Sequence, residues 1–341
     1  MHCHIIVPGF GWREDEASGL CDGLAAGALE TLIARGRRLR RPAAGIERWL
    51  LEQFGVQRQR DWPAAPFRLL ADGGSPGAHA WICADPVHLR FEQNRLALAD
   101  GTQFRLDREE AEALAACING HFGDMFAVHA LQPLRWYARL AACPEIETTP
   151  LGSARGRTVE TRQPRGSDAM RWQSLANEIQ MLLHDHPINA AREARGDLAV
   201  NSVWFWGAGS LPQVTARPFQ FVAATEPLAR GLAQASGAQA VEPTAAAQTW
   251  MSGRGQSAVA LVVLDALAAP AAYGQTGGWR DALLGLERDW FAPLLAALRA
   301  RRTGMLTLHL LGSDDRLDVE VTGADLRYFW RRRKPLGTWF A

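Results

Sequence analysis

His186-Pro187-Ile188-Asn189, then Arg192 and Gly196, then Asn201 and an apolar strand that runs into Trp206-Gly207-Ala208-Gly209, are residue types that suit an anion. A strand that ends in Gly-x-Gly lets backbone amides approach a ligand closely, and nearby arginines can hold a carboxylate or phosphate in a two-pronged fork. Upstream, Pro164-Arg165-Gly166-Ser167-Asp168 supplies a further cation and a carboxylate. The candidate ligand-binding set is Arg165, Asp168, His186, Asn189, Arg192, Asn201, Trp206, Gly207 and Gly209. The plainer reading of the same stretch is a tight strand-end turn at the glycines and a capped loop histidine at His186.

Three smaller clusters carry possible chemistry. His2 and His4 alternate, so both can face one side of a strand and offer imidazoles to a metal, with Cys3 nearby. Terminal histidines are more often simply exposed. His184-Asp185-His186 is a second possible ligand group, but helical spacing turns its two histidines apart. Arg331-Arg332-Arg333-Lys334, flanked by Trp330 and Trp339, has the composition of a grip for nucleic acid or an acidic partner. Such a short basic run is more commonly just solvated.

The elements that must position these residues alternate between strand and helix. Residues 5–7 read as a short buried strand before the turn Pro8-Gly9-Phe10-Gly11, and 28–38 as a helix that stops at Gly36 among arginines. A second helix is expected over 46–54, and 61–80, rich in Pro, Gly and Ala, reads as a crossing between domains. A strand pair follows, 81–86 and 87–98, with a turn near Gln93-Asn94, then a helix from Asp107 through Asn119 and more strand over 125–141. Residues 166–184 form an amphipathic helix, 200–206 a buried strand, and 227–237 a helix. The pattern closes with a strand at 259–264, a long helix over 279–302 containing Pro293, and a last strand at 306–311. The three apolar strands 5–7, 259–264 and 306–311 each end near Gly or Asp, and are expected to lie side by side in one sheet.

Composition sets the outer bounds. The chain has 341 residues, 48% apolar and 21% charged, which suits one large or two medium domains and excludes wholesale disorder. A net charge of +1 gives no overall field to draw in nucleic acid or a membrane, although local patches remain open. Five scattered cysteines without a Cys-x-x-Cys spacing argue against a disulfide framework or a zinc knuckle. The N-terminus lacks a basic region and a long apolar stretch, and the apolar run 258–273 is broken by Asp265 and Pro270. A cytoplasmic protein with no membrane and no nucleic-acid partner is expected. Thirteen Trp against three Tyr is unusual; genome composition explains much of it, and indoles lining a pocket or interface are the sharper reading.

The His-Pro-x-Asn stretch and the following Asn-containing strand that ends in Gly-Ala-Gly resemble the cap domain of archaeal-type cofactor-independent phosphoglycerate mutases, members of the alkaline phosphatase superfamily. The likeness extends more weakly to 28–38, 107–122, 227–237 and Trp290-Phe291-Ala292-Pro293-Leu294-Leu295. The chain is also similar to the proteobacterial RpfE-type regulatory proteins. This resemblance implies an α/β fold: an alkaline-phosphatase-like, mostly parallel sheet with helices on both faces, made from residues 1–64 and 216–341. A smaller α+β cap would be inserted over residues 65–215.

The resemblance also implies stations for two metals and a phosphoryl-accepting serine, because carboxylates hold hard cations and the metals activate the nucleophile. This chain departs from each. Where the family places Asp-Gly after the first strand, it has Pro8-Gly9. Ala44-Gly45-Ile46-Glu47-Arg48-Trp49-Leu50 holds no Ser or Thr for the nucleophile, and 264–274 offers only Asp265 and Tyr273. The final Asp-His pair is replaced by Thr307-Leu308-His309-Leu310-Leu311-Gly312-Ser313-Asp314, where His309, without carboxylate neighbours, reads as a strand residue. The expectation is therefore a mutase-like protein with no catalytic residues, no metal site and no cofactor. It would bind a small anionic ligand or a protein partner, in a regulatory role. The alternative is an active metal-dependent mutase. Replacement of the family's Arg by Trp206 would redirect the cleft toward a less charged, more planar ligand, unless Trp206 simply fills the strand's core.

Overall fold

The computed structural model describes residues 1–12, 19–92, 95–252, 258–313 and 315–339. The chain divides into two compact units, Met1–Trp49 with Ala216–Ala341, and Leu50–Thr215.

The first unit is built on a seven-stranded sheet in the order Arg37–Pro42, Asp315–Thr322, Met305–Leu311, His2–Pro8, Val259–Val263, Phe221–Ala223, Gln239–Val241. The last five strands in that order pair in parallel, and Asp315–Thr322 pairs antiparallel with both its neighbours, so the sheet is mostly parallel. As expected, His2–Pro8 lies between Val259–Val263 and Met305–Leu311, with Ile5 opposite Val262 and Leu308. Alternation sorts the side chains. Cys3, Ile5 and Val7 enter an apolar core with Leu306, Leu308, Leu310, Ala260 and Val262, while His2, His4, Thr307 and His309 share the other face. Trp250, Trp279, Phe291 and Leu294 from the helices complete that core.

Two elements here differ from the sequence reading. The first helix stops at Arg35, and the arginines beyond it form the edge strand Arg37–Pro42. Gly36 is extended (φ −68°, ψ 165°), and a Cβ there would sit 2.6 Å from Val319 Cγ1. The missing side chain lets the backbone turn straight into pairing with Asp315–Thr322. The long late helix is also not uniform. It runs as Thr276–Leu286, a wide turn of π type at Glu287–Phe291, and Ala292–Arg299. Pro293 has no N–H to donate to the preceding turn, and the widened turn removes the need for that bond.

The second unit is an antiparallel sheet in the order Arg95–Ala99, Ala80–Glu92, Arg135–Leu140, Phe126–Gln132, with Ser202–Ser210 also paired to Ala80–Glu92. One face, carrying Ile82, Ala84, Trp136, Ala138, Val203 and Phe205, packs under the helices Arg108–Phe122 and Ala169–His184. Asp107 caps the first of these through a reciprocal capping box with Glu110. Residues 81–98 were expected as two strands; 81–92 instead belong to one thirteen-residue strand, and the turn proposed at Gln93-Asn94 lies outside the described residues. Within 61–80, read as a crossing, lies the helix Ala64–Ala71, whose Phe67 and Leu69 are buried. Its eight residues are too few for a periodic signal, and its apolar composition comes into use only against the sheet.

Candidate functional site

The nine predicted residues all fall in the second unit, where their polar atoms mostly bond to the protein itself. Asn189 is 1% exposed; its amide donates to Leu183 O (2.8 Å) and Val200 O (2.9 Å) and accepts from Val200 N–H (2.8 Å). Arg192, equally buried, donates to Leu198 O (2.8 Å), Arg105 O (2.7 Å) and the Glu110 carboxylate (2.5 Å). Asn201 exchanges two 2.8 Å bonds with the Leu89 backbone, standing in for a strand neighbour. His186 occupies the N-cap of Pro187–Ala194 and accepts from Ile188 N–H at 3.3 Å. Asp168 accepts from Glu145 N–H at 2.9 Å, and Arg165, exposed, pairs through its backbone with Glu147.

The glycines do not end the strand. Ser202–Ser210 continues through them, with Gly209 opposite Trp81 and a register shift beside Gly207, whose φ is +71°. This is a β-bulge, and it brings the strand hard against the 59–65 segment. A Cβ on Gly207 would lie 2.9 Å from Ala64 Cβ, and one on Gly209 would lie 2.6 Å from Pro63 Cβ. The amides that could cradle an anion face internal acceptors. Gly207 N–H donates to Thr148 Oγ1 at 2.9 Å, and Ala208 N–H to the Asp61 carboxylate, which also accepts from Trp62 N–H and the Thr148 hydroxyl. Burial pushes the Asp61 carboxyl up in pKa, and these donors work against that shift. Asp61 and Thr148 escaped sequence reasoning because neither is near the motif in the chain.

Trp206 is 3% exposed and turns inward. Its indole N–H donates to Asp85 Oδ2 at 2.8 Å, and its ring lies 4.6 Å under the Arg68 guanidinium, which bonds the same carboxylate oxygen at 2.9 Å. Arg68, Asp85 and Trp206 are a buried charge pair roofed by an indole. A cavity of about 330 Å³ opens beside the neighbouring strand residues, lined by Trp172, Trp204, Glu160, Gln163 and Asn177 among others, with no Lys or Arg in its wall and none of the nine predicted residues.

In the first unit the strand ends are closed by their own loops. Gly9 (φ +76°) accepts from the Trp279 indole at 2.8 Å, and a Cβ there would lie 2.6 Å from Leu267 O. Phe10 N–H donates to Leu311 O at 2.9 Å, and Asp265 accepts from the Thr225 hydroxyl at 2.8 Å. His309 is a strand residue, but it does have a carboxylate neighbour: its Nδ1 bonds Asp318 Oδ1 at 2.8 Å and its Nε2 meets His4 Nδ1 at 3.1 Å. The neighbour comes from the antiparallel strand, not the local sequence. His2 and His4 do share a face, their rings 4.1 Å apart, whereas Cys3 is buried on the other side. His184 and Asp185 are exposed, with His186 spent on its cap.

No protein-family model matches the chain. A 72-residue stretch, 21% of the chain, is 35% identical to the 2,3-bisphosphoglycerate-independent phosphoglycerate mutase of Methanosarcina mazei, and 76 residues are 34% identical to that of Methanosarcina barkeri. These stretches span only 18% and 19% of the curated relatives. A cofactor-independent phosphoglycerate mutase from Thermoplasma acidophilum superposes with a TM-score of 0.51 at 16% identity, covering 99% of this chain and 94% of that one. The likeness is to cofactor-independent phosphoglycerate mutases. The PH0037 protein of Pyrococcus horikoshii superposes with a TM-score of 0.58 at 15% identity, over 94% of this chain and 87% of that one. At such identities the solved structures show a shared fold.

A mutase chemistry of the kind the resemblance implies needs several hard donors converging on two cations. Among the described residues no group of three or more His, Cys, Asp or Glu side chains is placed to hold a metal ion. At the strand ends Asp265 is turned to Thr225, Gly9 brings no donor, and His309 is committed to Asp318 and His4. The described donor set does not fit a two-metal centre.

Proposed function

We propose that this chain is a phosphoglycerate mutase-like protein that acts by binding, without phosphoryl transfer, in a regulatory role. Its partner is a small anionic ligand or another protein. In this reading it stands with the RpfE-type branch of the alkaline phosphatase superfamily, residues 65–215 correspond to the mutase cap, and the protein works in the cytoplasm. The observation that carries the reading is the described sheet edge, where Gly9, Asp265 and His309 are each bonded within the fold rather than aimed at a common point. For a small anion, Arg165 is the exposed cation of the predicted set, while the Gly207 and Ala208 amides are already bonded to Thr148 and Asp61.

The test is turnover of 3-phosphoglycerate with manganese or zinc added, and again with a chelator, beside the metal content of the purified protein. No turnover above background under either condition is expected. Interconversion that requires manganese and disappears with the chelator would establish the active mutase instead. Calorimetry with 3-phosphoglycerate separates a ligand-binding relative from one that engages only a protein.

A further inference from the structure

The net charge of +1 conceals a concentrated basic surface that the tertiary structure assembles from two distant segments. Arg37–Pro42 is an edge strand of the first unit, four of its six residues are arginine, and all six are exposed. Arg40 and Arg41 pair with Asp315 (2.7 Å) and Asp318 (3.4 Å) of the adjacent strand, so the basic surface centres on Arg38 and the later segment. Arg331-Arg332-Arg333-Lys334, nearly three hundred residues later, is laid beside it. Arg331 donates to Arg35 O at 2.9 Å, Arg40 donates to Trp339 O at 2.9 Å, and the Arg38 guanidinium stacks 4.8 Å over the Trp339 ring. Glu30 fastens the segment from below by pairing with Arg333 at 3.2 Å and accepting from Leu336 N–H at 3.2 Å, while Leu336 is buried.

Three consecutive aromatic rings stand out of this anchored base. Phe329 is 77% exposed, Trp330 62% and Tyr328 36%, with Trp330 5.3 Å from Phe329 and 5.1 Å from Tyr328, and Arg331 4.8 Å over Tyr328. Water-exposed Phe and Trp lose hydrophobic free energy unless something covers them. The covering partner must also accept many positive charges at short spacing. The rings are flanked by arginines on both sides. Of the nearby aliphatic side chains, Leu326 and Leu336 are buried, and Leu39, set between arginines on the edge strand, is 46% exposed. Bilayer insertion or a dry protein interface would call for a larger apolar patch. Planar bases joined by phosphates match both features, since bases stack on aromatic rings and arginine forks hold phosphate.

We propose that this surface, Arg38 with residues 327–334, binds single-stranded nucleic acid, the arginines on the phosphates and Phe329 and Trp330 stacked on bases. It goes beyond the proposed function and rests on different residues, so failed mutase turnover leaves it intact, and its own failure leaves that reading intact.

The test is fluorescence anisotropy of the full chain with labelled oligouridylate and oligothymidylate of about 15 nucleotides, titrated at several salt concentrations upward from about 50 mM. Saturable binding that weakens log-linearly with salt is expected. Phe329→Ala with Trp330→Ala should weaken it about tenfold with the salt slope unchanged, whereas Arg331→Ala with Arg332→Ala should weaken it and reduce the slope by about one to two. These side chains are exposed, and an unchanged thermal midpoint checks that each variant is folded. The proposal is overturned by absence of binding at the lowest salt. Equal competition by polyglutamate together with indifference to the aromatic substitutions would also overturn it, marking a site for acidic protein. Binding to anionic phosphatidylserine vesicles without binding to either oligonucleotide would overturn it as well.

Discussion

Asp318 lies directly across the antiparallel ladder from His309, and its carboxylate accepts the imidazole Nδ1–H at 2.8 Å. A carboxylate can only accept, so His309 carries a proton on Nδ1, and its Nε2 meets His4 Nδ1 at 3.1 Å, one ring donating to the other. The result is a half-buried line from Asp318 through His309 to His4, closed by the Trp49 ring 4.6 Å from His309 and by Phe219 5.3 Å from His4. Burial, with His2 and His309 close by, holds His4 down to about 3, so it stays neutral in the fold. Burial alone would raise the Asp318 carboxyl, but the bonds from His309 and Arg316 outweigh it and hold that group below its usual range.

Acid should therefore loosen the first unit. The unfolded chain binds a proton at His4 near pH 6.5 and the folded chain does not until about 3, so stability falls as pH drops through that window. For one such histidine the slope is about 1.4 kcal/mol per pH unit. Urea unfolding at stepped pH values between 7 and 4 measures it. His4→Gln should flatten the profile in that window, and an unchanged slope would remove His4 as its source.

Trp206 should act as a structural roof over Asp85. Trp206→Phe keeps the ring and removes the N–H donor, with an expected loss of about 1–3 kcal/mol. Arg68→Met should cost more, about 3–5 kcal/mol, because it strands a fully buried carboxylate. Trp206→Arg places a second guanidinium beside Arg68 and should destabilise the protein rather than create affinity for 3-phosphoglycerate. Thermal unfolding of the variants, with calorimetry on whichever remain folded, checks all three.

The bulge glycines should tolerate nothing larger. Gly207→Ala meets both a left-handed φ and Ala64 Cβ at 2.9 Å, and Gly209→Ala meets Pro63 Cβ at 2.6 Å. Each should cost about 1–3 kcal/mol through strain and overpacking. Denaturant midpoints of the two single variants measure this, and wild-type stability in both would contradict the close packing.

Asn201→Ala should loosen the pairing of the 202–210 strand, since its amide supplies two bonds to Leu89 that nothing else in the strand replaces. Faster amide hydrogen exchange at Leu89 and its strand neighbours is the expected readout, with a loss of about 1–2 kcal/mol.

Much of the scaffold follows from local pattern. The largely apolar runs at 5–7, 259–264 and 306–311 specified three adjacent strands, because a parallel strand covered on both faces is mostly apolar, even though His2, His4, Thr307 and His309 line one of those faces. The Asp107 capping box and the apolar face of Ala169–His184 fixed two helices for equally local reasons. The edge strand Arg37–Pro42 and the helix Ala64–Ala71 escaped the same reading, since one has no apolar alternation and the other is too short to show a period.

The candidate site divides along the same line. Residue types alone pointed to His186, Asn189, Arg192 and the glycines as a candidate ligand-binding region; in the fold Asn189 and Arg192 bond within the protein and the glycines pack against the 59–65 segment. What each polar atom bonds depended on segments remote in sequence. Asp61 and Thr148 meet the Gly-Ala-Gly amides, Asp85 and Arg68 take Trp206, Glu110 takes Arg192, and Asp318 takes His309. A buried donor must find an acceptor somewhere in the fold, and a sequence states the need without naming the partner. Only the tertiary structure decides that, because the pairing is made by sheet register and helix packing across many residues of chain.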